Sequence, residues 1–93
     1  MAPATKPIHV LSDKELLETV GEQLQKLREA KGFTQTKAGK KADISRPTLM
    51  RAEKGENISL RTLIHLLRIY GRIEALEDFL QAPEVSRKEV LGE

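Results

Sequence analysis

The chain has 93 residues, a net charge of only +2 and no cysteine. Ninety-three residues make one small domain, which buries only about 60–65% of its unfolded-chain surface and has little room for a deep catalytic pocket. No disulfide framework or thiolate metal site is available, no apolar run reaches the roughly 20 residues of a membrane span, and "MAPATKPIHVLSDKE" lacks the apolar core of a signal peptide.

Residues 1–11 contain Pro3 and Pro7 among small residues and read as a loose tail. Within it, "IHVL" at 8–11 is an apolar tetrad expected to pack on its own domain, or else to add a strand to a partner. "SDKE" then forms a capping box, with Ser12 as N-cap and Glu15 reaching back to the Ser12 amide. Leu17, Val20, Leu24 and Leu27 step by three and four, widened by Leu16, which predicts a first helix over 13–31 stopped by Gly32.

Thr34 caps a second predicted helix that runs through Ala42, with Asp43-Ile44 as the turn after it. Ala38, Gly39 and Ala42 are small, and small residues let another helix cross closely. A helix-interior glycine costs about 1 kcal/mol relative to alanine, so Gly39 points to a close backbone approach. Asp43 tolerates the left-handed conformation that an abrupt turn requires.

Ser45 caps a third helix through Lys54, stopped by Gly55. Pro47 is compatible with that helix. With Ser45 as N-cap it is the second helical residue, its missing amide is one that a helix start leaves unpaired, and the carbonyl it would clash with lies outside the helix. Ser45 must then cap through the Thr48 amide alone.

Ser59 caps a fourth helix, with Leu60, Leu63, Ile64, Leu67 and Tyr70 expected on its buried face and Gly71 at its end. A fifth short helix over 73–81 carries Ile73, Leu76, Phe79 and Leu80, with Pro83 just beyond. "SRKE" at 86–89 is a further candidate capping box. No segment sustains a period of two. The reading is an all-α domain over 12–81, flanked by tails at 1–11 and 82–93.

Charge is unevenly distributed. Residues 1–34 carry five basic and five acidic side chains, residues 35–61 carry seven and three, and residues 62–93 carry four and six. The basic middle third suits a polyanion, although a solvated helix face has the same composition.

Two short helices joined by a tight turn across about 20 residues form a helix-turn-helix, whose second helix lies in the DNA major groove. The stretch "LQKLREAKGFTQTKAGKKADISRPTLMRAEKGENISLRTLIHLL" resembles the domain of phage repressors, Cro and the xenobiotic-response-element regulators. Arg28, "GFTQ" at 32–35, Ala42, "IS" at 44–45, "TL" at 48–49, Glu53 and Gly55 carry the resemblance, which covers 24–70. The chain departs from that family at Ala38, Gly39, Asp43 and Ala52, where leucine, alanine, glycine and a larger aliphatic are usual. The core around helices 2 and 3 is therefore small, and Ile44, Met50 or Leu24 is expected to fill it.

The resemblance implies a five-helix phage-repressor-like fold with a short C-terminal extension. It implies base reading by Ser45, Arg46, Pro47 and Arg51, where arginine can give guanine O6 and N7 two hydrogen bonds at once. Pro47 offers only an apolar contact, such as to a thymine methyl. Thr34, Gln35, Lys37, Thr48, Lys54 and Asn57 are candidate phosphate contacts, although Thr34 and Gln35 equally suit simple capping. Arg28 and Glu53 are implied to form a structural ion pair between helix 1 and the end of helix 3.

His9 and His65 lie in separate segments, and His65 reads as half-buried packing rather than a ligand. No catalytic constellation, metal motif or cofactor loop appears. Phe33, Tyr70 and Phe79 all occupy core-like positions, which disfavours a single-stranded nucleic-acid binder needing stacking platforms.

The expected function is a double-stranded DNA-binding regulator, a homodimeric repressor on a palindromic operator in the cytoplasm. Leu66, Leu67, Ile69, Leu76, Phe79, Val85, Val90 and Leu91 exceed what a small core can hold, which places the dimer contact on helices 4 and 5 and the tail. The alternative is an antitoxin resembling the HipB type, which would bind a toxin as well as its own operator.

Overall fold

The computed structural model describes residues 6–81. Among them, five α-helices follow one another: α1 Asp13–Ala30, α2 Gln35–Ala42, α3 Arg46–Glu53, α4 Leu60–Ile69 and α5 Glu77–Leu80. Two 3-10 turns, Ile8–Val10 and Ile73–Leu76, complete the regular structure, and no strand occurs among the described residues.

Each of the first four helices begins on a hydroxyl. Ser12, Thr34, Ser45 and Ser59 accept from the backbone amide three residues on, and at Ser12 the Glu15 carboxylate returns the bond to close the capping box. Each such cap is worth about 1 kcal/mol. Lys6 adds a 2.7 Å ion pair to Glu15. That contact and the Ser12 amide hold the Glu15 carboxyl below the usual carboxylate range.

The helix ends also follow one rule. At each of the four ends an amide just beyond the helix reaches back five positions: Phe33 to Arg28, Ile44 to Gly39, Glu56 to Arg51 and Arg72 to Leu67. Three of these turns use a glycine at positive φ, but after α2 the left-handed residue is Asp43, at φ 60° and ψ 44°.

The core is built from Leu24, Ala38, Ala42, Leu49, Ala52, Leu66 and Tyr70, edged by Leu27, Phe33, Ile44, Ile58, Leu63 and Ile69. Leu24 thus fills the space beside the small residues of α2, and Ile44 packs at the rim. Met50 is half-buried and lies outside this cluster. A Cβ on Gly39 would lie 3.0 Å from the Ile44 carbonyl oxygen. The close approach predicted there is made by the turn that follows α2, not by a crossing helix.

A tighter approach occurs at Gly21, where an added Cβ would meet the Ala52 and Glu53 carbonyl oxygens at 2.7 Å and the Gly55 nitrogen at 2.8 Å. Gly55 in turn abuts the Glu18 backbone. These two glycines let α1 and the end of α3 touch backbone to backbone, which fixes α3 against the longest helix.

Several sequence expectations are corrected. On α4 the buried stripe is Thr62, Leu66, Leu67 and Tyr70, whereas Leu60 is 69% exposed. The apolar arc of α4 is wider than a single stripe, with Arg61 and Arg68 on the opposite side, so periodicity alone could not choose its centre. Thr62 can be buried because its hydroxyl meets Ser59 Oγ at 3.0 Å. Leu66 and Leu67 therefore belong to the core and not to an apolar surplus. Phe79 is exposed, not core-like.

The fifth helix is divided into the 3-10 turn Ile73–Leu76 and the four-residue α5, neither with a side-chain cap. Ile8 and Val10 stand exposed on their turn instead of packing on the domain. Pro83, Val85, "SRKE" at 86–89, Val90 and Leu91 lie outside the described residues.

Candidate nucleic-acid interface

α2, the Asp43 turn and α3 present one continuous polar surface. Ser45 Oγ caps α3 through the Thr48 amide at 3.2 Å, and Pro47 sits exposed at the second helical position. No other first-turn amide of α3 is needed for the cap. The helix therefore starts cleanly despite the proline, whose fixed φ stiffens its first turn.

Two arginines project from this surface. Arg46 and Arg51 are both exposed, and each is held by another side chain. The Arg46 guanidinium donates to Gln35 Oε1 at 3.5 Å. Arg51 Nη2 donates to Thr48 Oγ1 at 3.2 Å, and the same oxygen lies 2.9 Å from Ser45 Oγ. The capping serine, Thr48 and Arg51 thus form one chain along α3.

Gln35 also faces inward. Its Nε2 donates to Glu53 Oε1 at 3.2 Å. Glu53 accepts from Arg28 through Nε at 2.6 Å and Nη2 at 3.1 Å, and Arg28 Nη1 donates to the Phe33 carbonyl at 3.0 Å. The Arg28 and Glu53 side chains are only 11% and 6% exposed. The bond from Glu53, reinforced by its charge, raises the Arg28 pKa against the opposing effect of burial. Tyr70 lies within reach of the same charges. Burial, with Glu53 adding to it, pushes its phenol up to about 12, and its hydroxyl has no hydrogen-bond partner among the described residues.

The remaining cations spread over α2 and the end of α3. The Lys37 and Lys41 ammonium groups sit 5.6 and 5.4 Å from the centre of the Phe33 ring, within cation–π range. Both lysines are exposed, as are Thr34, Lys40 and Lys54. Lys54 is the C-cap of α3. Asn57, three residues past Lys54, lines a shallow groove of about 480 Å³ with Asp13, Leu16, Leu17 and Val20 of α1.

The geometry is that of two helices around a tight left-handed turn, and a family model described as a helix-turn-helix domain matches residues 19–80. The chain belongs to the helix-turn-helix domain family. The match extends past both ends of the 24–70 stretch, further back along α1 and on through α5. No curated protein matches the chain. Membership makes it a DNA-binding protein of a typically non-enzymatic family. Among the described residues no three metal-ligating side chains converge, and no helix is long and apolar enough to cross a membrane.

Two contributors escaped the sequence reading. Gly21 carried the same signal as Gly39, a glycine inside a predicted helix, and the same argument of cost applies to it. His65 is half-buried as expected, but its ring also bonds the Ala42 carbonyl at 2.8 Å, a partner 23 positions away that local pattern does not reveal.

Proposed function

We propose that this helix-turn-helix protein reads double-stranded DNA by sequence, laying α3 in the major groove. The observation that carries the proposal is the pair Arg46 and Arg51, both exposed on α3 and both steadied by neighbouring side chains. A held guanidinium loses less freedom on forming two bonds to guanine, which favours base reading over loose phosphate contact. Ser45 and Pro47 complete the reading surface, Pro47 through apolar contact alone.

Thr34, Gln35, Lys37, Thr48, Lys54 and Asn57 are proposed to position the duplex through its phosphates. The Arg28–Glu53 pair is proposed to hold α3 in place and to make no DNA contact itself. The folding unit is taken as residues 12–81, with a tail on either side.

The regulator is proposed to act as a homodimeric repressor on a palindromic operator, in the cytoplasm where that DNA lies. Two modules related by a twofold axis read half-sites roughly 34 Å apart. Phe79 and Leu80 on α5, exposed by 81% and 70%, support pairing through this element, and Leu60 at the start of α4, exposed by 69%, is a further apolar side chain open to a partner. A dimer occupying its operator represses by occlusion alone.

A second reading, an antitoxin that also holds a toxin, is favoured by the acidic side chains Glu74, Glu77 and Asp78 beside exposed Phe79 and Leu80. That surface suits a basic protein partner. Co-purification of a larger protein at fixed stoichiometry would support it, and recovery of the chain alone from its native cell would remove it.

Selection from random duplex DNA followed by sequencing tests the main proposal. An enriched inverted repeat with guanines in each half is expected. Recovery of unselected sequence would reject it.

A further inference from the structure

His65 stands on α4, outside the helix-turn-helix pair α2 and α3. Its Nδ1 lies 2.8 Å from the carbonyl oxygen of Ala42. A carbonyl only accepts, so Nδ1 carries the hydrogen, and the ring is oriented by this one contact.

Ala42 is the last residue of α2 and is 2% exposed. The final carbonyls of a helix have no partner within it. Here Gly39 and Lys40 are satisfied by the turn amides of Ile44 and Asp43. Ala42 is satisfied from outside the helix-turn-helix altogether. The next residue, Asp43, is the only non-glycine at positive φ among the described residues. It is the hinge on which the direction of α3 depends.

We propose that His65 is a positioning residue for DNA reading. Its bond to Ala42 pins the end of α2 and thereby fixes the Asp43 turn and the aim of α3. The inference rests on the proposal that α3 reads base sequence. It also links that reading to α4, the helix that runs on to the exposed Phe79 and Leu80.

The test compares wild type, His65→Leu, which keeps bulk and loses the donor, and His65→Asn, whose side-chain nitrogen can take the place of Nδ1. Amide exchange is measured on the free proteins, and affinity is measured for the selected duplex and for random duplex. His65→Leu is expected to speed exchange of the Ile44 amide by about tenfold relative to core amides such as Leu24. It should lower affinity for the selected duplex by about tenfold, equivalent to about 1.4 kcal/mol, with random duplex within about twofold. His65→Asn is expected to restore both to within about threefold of wild type, an interval of under 1 kcal/mol.

Equal acceleration of all core amides with an unchanged ratio of selected to random affinity would overturn the proposal and leave His65 as packing. Failure of His65→Asn to restore either quantity would overturn it too. A wild-type chain with no preferred sequence would defeat the reading on which it rests, and the wild-type arm alone would show that.

Discussion

Arg28 and Glu53, 25 positions apart, meet through two hydrogen bonds of 2.6 and 3.1 Å with both side chains almost wholly buried. The contact joins α1 to the last residue of α3. It also leads outward, since Glu53 accepts from Gln35 and Gln35 accepts from Arg46. Breaking a buried pair leaves one charge without compensation, which costs about 3–5 kcal/mol. Arg28→Ala is therefore expected to lower the urea midpoint by an equivalent amount. A smaller loss is expected for Arg28→Met combined with Glu53→Gln, which strands no charge. A single variant as stable as wild type would show that Glu53 finds other support.

Gly21→Ala gives a prediction whose sign is decided by packing. Alanine gains about 1 kcal/mol in helix propensity over glycine. The new Cβ would meet backbone atoms of residues 52, 53 and 55 at 2.7–2.8 Å, where no side chain can swing aside. Overpacking of this kind costs roughly 1–3 kcal/mol or more. Net destabilisation is expected by thermal unfolding, and a raised Tm would mean that α1 and α3 can separate freely.

Arg51→Ala and Lys54→Ala are expected to differ in kind. Arg51 is proposed to read a base, so its loss should weaken the selected duplex by about 1–3 kcal/mol and relax preference at one position. Lys54 is proposed to touch phosphate, so its loss should weaken selected and random duplexes alike and reduce the salt slope by about 1. Anisotropy titrations at several salt concentrations distinguish the two. Identical behaviour of the two variants would contradict the division between reading and positioning.

Much of this arrangement was legible beforehand because it is local. The hydroxyl caps at Ser12, Thr34, Ser45 and Ser59 and the breaks at Gly32, Asp43, Gly55 and Gly71 lie next to the residues they control. What was hidden depends on partners far along the chain. The apolar arc of α4 is too wide for periodicity to fix its buried centre, and burial of Thr62 depends on the Ser59 hydroxyl as well as the core. Gly21 and His65 act on residues 31 and 23 positions away, through Ala52 and Ala42. The roles of Ser45, Arg46, Pro47 and Arg51 toward DNA rest on where they are displayed and on how they are held.

Tyr70→Phe tests the buried hydroxyl. With no partner for that oxygen among the described residues, its removal should leave stability at pH 7 unchanged or raise it by up to about 1 kcal/mol. The phenol titrates at about 12 in the folded chain against an ordinary value of 10.0. The folded state thus holds its proton longer than the unfolded chain. The stability tied to the neutral phenol is complete below pH 10 and is lost as pH rises through 12. Denaturant midpoints from pH 8 to 12 should fall more steeply for wild type than for Tyr70→Phe. Parallel curves would mean that Tyr70 is solvated.

Whether α3 reads sequence through its two arginines is decided by repeating the duplex selection with Arg46→Ala/Arg51→Ala. A guanine-containing motif is expected for wild type that the double variant fails to enrich, although it stays folded and still binds random DNA weakly. The same motif recovered with the double variant would contradict it.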